Sequence, residues 1–181
     1  MYNETMTDSA QADMDIYSID KLMHETRQLA AKYRQTTGNT LPVTSEIARF
    51  DAARALDLTL IDDPNSHIDA VGRSGEREQK RFIIKGRAIF ETSRASPRIG
   101  QLNTEQDWDL AVLVLFDQDY EVDEIFEASR DEIVDALETK RDSNRKKRGA
   151  MSIAQFKIIG QRVWSRENGP EQELWDNQET E

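Results

Sequence analysis

The chain has 181 residues, a formal charge of −11, two histidines and no cysteine. That length suits a single domain able to bury about two-thirds of its unfolded surface. Without thiols there are no disulfides, thiolate zinc sites or cysteine nucleophile, and His24 and His67 alone leave little for a histidine metal site or a serine–histidine triad.

Residues 1–13 are polar, acidic and aperiodic and read as a disordered tail; they lack the basic and apolar regions of a secretory signal. Ile16, Ile19, Leu22, Met23, Leu29, Ala30 and Tyr33 fall at helical spacing, predicting a helix to about Thr36 that Gly38 and Asn39 stop. After Pro42, Thr44 or Ser45 is placed to cap a second helix. Glu46 lies in its first turn, where the helix dipole favours an anion, and Ile47, Phe50, Ala53, Ala55 and Leu56 form its buried stripe. The period then shortens. Leu58–Ile61, His67–Val71 and Lys80–Phe90 read as three strands, separated by the turn 62–66 and a polar loop around Gly75. Thr92–Gly100 reads as loop. Leu110–Phe116 is a continuous apolar run, the mark of a central strand covered on both faces, and too short to span a bilayer. Asp117–Asp119 turns it into an antiparallel partner at Tyr120–Glu127. Ser129 caps a helix to about Lys140, 141–149 is a basic loop, and Ser152 caps a last helix from Ile153 to about Trp164. Residues 167–181 are acidic and read as a mobile tail, leaving 14–166 as the domain. This order predicts an α/β (α+β) fold, a mixed central sheet flanked by helices, in a cytoplasmic protein with no membrane partner.

Charge is unevenly spread. Residues 73–98 carry eight basic and three acidic side chains, net +5, and residues 140–166 carry nine and one, net +8. The remainder is strongly acidic. Phosphate contacts act within a Debye length of about 8–10 Å, so a local basic face matters more to a polyanion than net charge does. The two segments nominate Arg81, Arg87, Arg94 and Arg98, with Arg145, Lys146, Lys147 and Arg148, as nucleic-acid contacts if they converge. The competing reading is solvated loops balanced by acidic helices.

No phosphate-cradling GxGxxG or GxxxxGK[ST], no HExxH and no GxSxG elbow is present. What stands out is a layout. Glu46 opens a helix, Asp69 lies in Ile68–Gly72 on one strand, and Lys85 lies in Phe82–Arg87 on the next. A carboxylate and a lysine on hairpin partners can meet at one end of a sheet. There the carboxylate can hold a hard divalent cation, and the lysine can orient or deprotonate the water that the cation activates. The plainer readings are a helix-dipole role for Glu46, an Asp69–Lys85 ion pair across the hairpin, and Trp108 and Trp164 as packing aromatics.

At these residues the sequence resembles the restriction-endonuclease-like PD-(D/E)xK nuclease superfamily, in which a helix glutamate precedes a hairpin bearing an aspartate and then a (D/E)xK. With the DAVG…FIIKGR hairpin, WDLAVLVLF and FKIIGQRVW, it is similar to an uncharacterised bacterial family of that superfamily, over residues 44–165. The resemblance implies catalytic roles for Glu46, Asp69 and Lys85. It implies Mg²⁺ held by Asp69, the carbonyl of Ile84 and Glu46, and a nucleic-acid substrate, DNA ahead of RNA. One departure is serious: Ile83 stands where the family has its second acid and cannot bind a metal. The expectation is therefore a nucleic-acid-binding protein of nuclease fold, with hydrolysis left open. The alternative is a non-catalytic module that binds a protein partner.

Overall fold

The computed structural model describes residues 7–90, 98–138 and 150–171. Four helices, α1 (Thr7–Thr37), α2 (Thr44–Ala55), α3 (Arg130–Glu138) and α4 (Ile153–Ile159), accompany nine strands. These are β1 (Leu58–Leu60), β2 (Ala70–Gly72), β3 (Arg81–Ala88), β4 (Arg98–Gln101), β5 (Leu110–Phe116), β6 (Val122–Ser129), β7 (Ala150–Ser152), β8 (Gln161–Ser165) and β9 (Gly169–Pro170). Seven form one sheet in the order β1-β2-β3-β5-β6-β8-β9, and β4 and β7 pair separately. The meander β1–β2–β3 is antiparallel, β3 and β5 are parallel, and the rest is antiparallel, so the sheet is mixed as expected.

β5 is the middle strand, and every residue from Ala111 to Phe116 is buried. Alternate side chains feed two cores. On one face Val112, Val114 and Phe116 join Phe82 and Ile84 of β3 and pack against Ala30 and Ala31 of α1 and Ile47, Ala48 and Ala52 of α2. On the other, Ala111, Leu113 and Leu115 join Ile83 and meet Ile133 of α3, Phe156 of α4, Ile99 of β4 and Met151 of β7. The small β4–β7 ribbon thus helps to cover the second face, where the sequence suggests only loop. Trp108 is a core residue there, its indole N–H donating to the Asn103 carbonyl at 2.8 Å.

Local capping chemistry explains several boundaries. At the start of α3, Ser129 and Glu132 form a reciprocal capping box: the Ser129 N–H donates to Glu132 Oε2 at 2.7 Å and the Glu132 N–H to Ser129 Oγ at 3.2 Å. Ser152 caps α4 through the Gln155 N–H at 3.2 Å. Neither Thr44 nor Ser45 caps α2, because the helix starts a residue early, with Val43 at the cap position and no side-chain bond. α1 starts at Thr7, upstream of the expected Ile16, in a stretch without glycine or proline to prevent it.

The last expected helix is cut short. α4 ends at Ile159, and 161–165 is strand β8 on the edge of β6. Gly160 sits so close to β6 that a Cβ there would lie 2.7 Å from the Glu127 carbonyl oxygen, so the chain must leave the helix to run along the sheet. Ile153, Phe156, Ile159 and Val163 mimic one helical stripe, yet Val163 and Ser165 are buried on strand alternation. Residues 169–170, expected in a mobile tail, pair with β8 and close the sheet. No helix among the described residues is long and apolar enough to cross a membrane.

α1, α2 and the β5–β6 turn are tied by one buried ion pair. Arg27 donates through Nη2 to Asp51 Oδ1 at 2.5 Å and through Nη1 to the Tyr120 carbonyl at 2.6 Å, both side chains being about nine-tenths buried. Burial pushes the Asp51 carboxyl up from its ordinary value, although Arg27 pulls the other way. Removing Arg27 strands that carboxylate, so Arg27→Met is expected to cost about 3–5 kcal/mol at neutral pH in urea denaturation. Arg27 acts to hold the Asp51 pKa down, so without it that pKa rises further and the folded variant binds a proton at a higher pH than the parent does. The variant's deficit should therefore shrink as pH falls toward about 4. A deficit under about 1 kcal/mol, or one that widens with acid, contradicts this account.

Candidate functional site

The site begins with the seating of α2 on β3. A Cβ on Gly86 would lie 2.6 Å from both the Ala48 methyl and the Thr44 carbonyl, so the helix rests directly on the strand where no side chain intervenes. That approach carries the first turns of α2 over the β2–β3 hairpin and brings Glu46 and Asp69 into one neighbourhood.

Between them lies Arg49, one turn beyond Glu46. Its Nη1 is 3.3 Å from Glu46 Oε2, its Nη2 donates to the Ile61 carbonyl at 2.8 Å, and its Nε lies 3.5 Å from Asp69 Oδ1. The Asp69 contact is an ion pair without hydrogen-bond alignment, since Nε has no hydrogen-bond acceptor. The guanidinium thus bridges the two carboxylates and fastens α2 to the end of β1. The sequence offered one hint of this, the (i, i+3) spacing of Glu46 and Arg49. The expected partner of Asp69 was Lys85; the observed one is Arg49.

Asp69 lies just before β2 and clamps the chain around Ile83. Its N–H donates to the Phe82 carbonyl at 2.8 Å, and its Oδ2 accepts from the Ile84 N–H at 2.7 Å. β2 pairs with β3 only at Arg81 and Phe82, so the Ile84 N–H has no strand partner on that side and the carboxylate replaces it. Lys85, the next residue, is half-buried and makes no hydrogen bond or ion pair among the described residues. The structure brings Glu46 and Asp69 together through Arg49 and places Lys85 beside the Ile84 peptide, without a contact to either acid.

As arranged, these residues do not fit a divalent cation. Both Asp69 oxygens face protein donors, Glu46 faces Arg49, and an ion between them would meet a guanidinium. Ile83 is 6% exposed and belongs to the second core, so an acid at this position would be buried among apolar side chains. Among the described residues no group of three or more acidic or histidine side chains is placed to hold a metal. A cleft of about 290 Å³ beside Asp69 is lined by Arg49, Asp62, Asp63, Ser66 and Asp69. Three carboxylates against one guanidinium make it a poor seat for phosphate.

The nominated basic residues divide. Arg81 is neutralised: it bonds Asp109 through Nε and Nη2, both at 3.0 Å, and pairs with Asp107 through Nη1. The arginine holds both carboxyls below the usual carboxylate range, and they raise its own pKa. Arg87 differs. Half-buried, among the described residues it donates only to carbonyls, Nε to Arg98 at 2.6 Å and Nη1 to Gly86 at 2.5 Å, and burial lowers its pKa from the ordinary value. Arg98 is exposed at the start of β4 and has no side-chain partner among the described residues. Arg94 and the run Arg145, Lys146, Lys147, Arg148 lie outside the described residues.

The geometry predicts an order of stability effects. Asp69→Ala strips an acceptor from a strand N–H and a partner from Arg49, and should cost about 1–3 kcal/mol. Glu46→Ala, at a largely exposed carboxylate, and Lys85→Ala, at a lysine with no ion pair among the described residues, should each stay within about 0.5 kcal/mol of the parent. Urea melts of the three variants test this, and an Asp69→Ala protein as stable as the parent contradicts the clamp.

No protein-family model matches the sequence, and a search of curated proteins finds none similar to it.

Proposed function

We propose that this chain is a cytoplasmic nucleic-acid-binding protein on a degenerate restriction-endonuclease-like fold, one that holds the phosphate backbone without cutting it. The observation that carries the reading is the group Lys85, Arg87 and Arg98. Lys85 and Arg87 project from the same side of β3, two residues apart, and Arg87 touches the Arg98 backbone. Among the described residues none of the three has a carboxylate ion pair; Lys32, Lys80 and Arg130 lack one too, but only Lys85, Arg87 and Arg98 are joined on β3 and β4, whereas Arg27, Arg49, Arg54, Arg73, Arg77, Arg81, Arg162 and Arg166 are all paired. A half-buried guanidinium answered only by carbonyls is an incomplete electrostatic arrangement that an anionic oxygen would complete.

The fold reading draws support from α2, which bears Glu46 and precedes the meander β1–β2–β3 bearing Asp69 and Lys85, with β5 running parallel to β3. The non-cleaving reading draws support from Arg49 and Ile83. One removes the acids from service as ligands, and the other fills a core position.

Fluorescence anisotropy with duplex DNA, single-stranded DNA and RNA across a salt series tests the proposal. Log affinity should fall linearly with log salt, and Lys85→Ala and Arg98→Ala should each reduce the slope by about 0.9, one phosphate contact. Neutralising Arg145 to Arg148 should weaken all sequences about equally, since backbone contacts position without reading bases. A chelator should leave binding unchanged, and added Mg²⁺ should produce no cleavage. Absence of measurable affinity at low salt would replace this proposal with a protein-interaction module. Mg²⁺-dependent cleavage lost in Lys85→Ala would restore the catalytic version.

A further inference from the structure

Six large apolar side chains are exposed among the described residues, and four of them, Ile19, Leu22, Leu29 and Tyr33, lie on α1. With Thr26 in the middle, they follow each other at alternating steps of three and four residues, the rhythm of a coiled-coil seam. The same helix already packs a different face, Met23, Arg27, Ala30 and Ala31, against its own domain. α1 therefore has two apolar faces, and its own chain uses one. The second is a stripe about 21 Å long at 1.5 Å per residue, with Leu22 57% and Leu29 61% exposed. An apolar strip of that length, interrupted only by Thr26, is what an association surface leaves in water.

We propose that two copies of this chain associate through the stripe, with their α1 helices side by side and antiparallel. The flanks of the seam select both partner and direction. One flank, Met23 and Ala30, is packed in the domain's own core. The other presents Glu25 and Lys32, both exposed. Glu25 meets only Lys21 of its own helix, at 4.0 Å in open solvent, and Lys32 has no ion-pair partner among the described residues. In an antiparallel two-fold pair like flanks face each other, so each Glu25 lies against Lys32 of the second copy and two opposite-charge pairs close the interface. A parallel pair would set this charged flank against the flank that the domain covers, and no such match forms. The stripe is thus self-complementary in one orientation, as a two-fold contact requires.

Sedimentation velocity of the full chain over a range of concentrations tests this. A reversible monomer–dimer equilibrium is expected. Leu22→Asp with Leu29→Asp should abolish the dimer and leave the circular dichroism and melting temperature of the monomer unchanged, because both positions face water. Glu25→Lys alone and Lys32→Glu alone should each weaken association about two- to thirtyfold, through two lost pairs. The double reversal should return affinity toward that of the parent, a recovery that non-specific apolar sticking cannot give. The proposal fails if the protein is monomeric at every concentration. It fails equally if its dimer ignores the two aspartates, or if the double reversal associates no better than the single ones. A monomer that the two aspartates destabilise would mean that the chain's own terminal segment covers the stripe, and this too overturns it.

Discussion

The structure depends on a strand that has to be covered twice. β5 has no polar side chain on either face, and once it pairs with β3 and β6 its backbone is satisfied, so both of its faces must find apolar cover. Each fully buried Val, Leu or Phe contributes about 1.5–3 kcal/mol. The driving force for building layers on both sides of the sheet is therefore concentrated in seven consecutive residues. α1 and α2 supply one layer, and α3, α4 and the β4–β7 ribbon supply the other. This forces β3 into the same double burial, which is why Ile83 and Ile84 both face core, on opposite sides.

That constraint has a chemical consequence. Ile83 cannot be exchanged for an acid without placing a carboxylate in an apolar cluster, so the strand that would carry a metal ligand is committed to packing. The two acids that remain are held by Arg49, which answers their charge with a permanent cation and joins α2 to β1. Arginine suits this role because it stays protonated and its planar fork can serve several acceptors at once. The carboxylates contribute to architecture here, and among the described residues Lys85 and Arg87 of β3 and Arg98 of β4 have no contact with them.

Most of the described arginines are neutralised locally. Arg166 bonds Asp117, Arg162 bonds Glu124 and Glu171, and Arg81 bonds Asp107 and Asp109; against the opposing effect of burial, these arginines, Lys157 at Glu124 and two backbone N–H groups at Asp117 hold the carboxyls of Asp107, Asp109, Asp117 and Glu124 below their ordinary values. Such pairs stabilise little individually at the surface. Collectively they cancel the field of most of the described arginines, and among the described residues Lys85, Arg87 and Arg98 are among the cations that no carboxylate answers. The segregation seen as two basic stretches along the chain becomes, in space, a distinction between paired and unpaired cations. A charge count by segment overstates Arg81 and understates Arg87.

What the sequence determined was local. The apolar run 110–116, the Ser129–Glu132 box and the helical period of α2 follow from chain neighbours, because backbone geometry fixes which side chains share a face and which can reach a helix end. The mixed sheet with helices on both faces followed from their order. Tertiary structure alone decided the rest. Residues 161–165 have apolar spacing that suits either helix or strand, and the open edge of β6 beside Gly160 chose strand. The ribbon β4–β7 joins segments too short to announce themselves, and each is a strand only because the other lies beside it. Asp69 and Lys85 looked like partners from their hairpin spacing, but Arg49 reached Asp69 from a helix twenty residues earlier in the chain. Ion pairs and edge strands depend on which groups the folded chain brings within a few ångströms, and that is a property of the packed molecule that no local spacing contains.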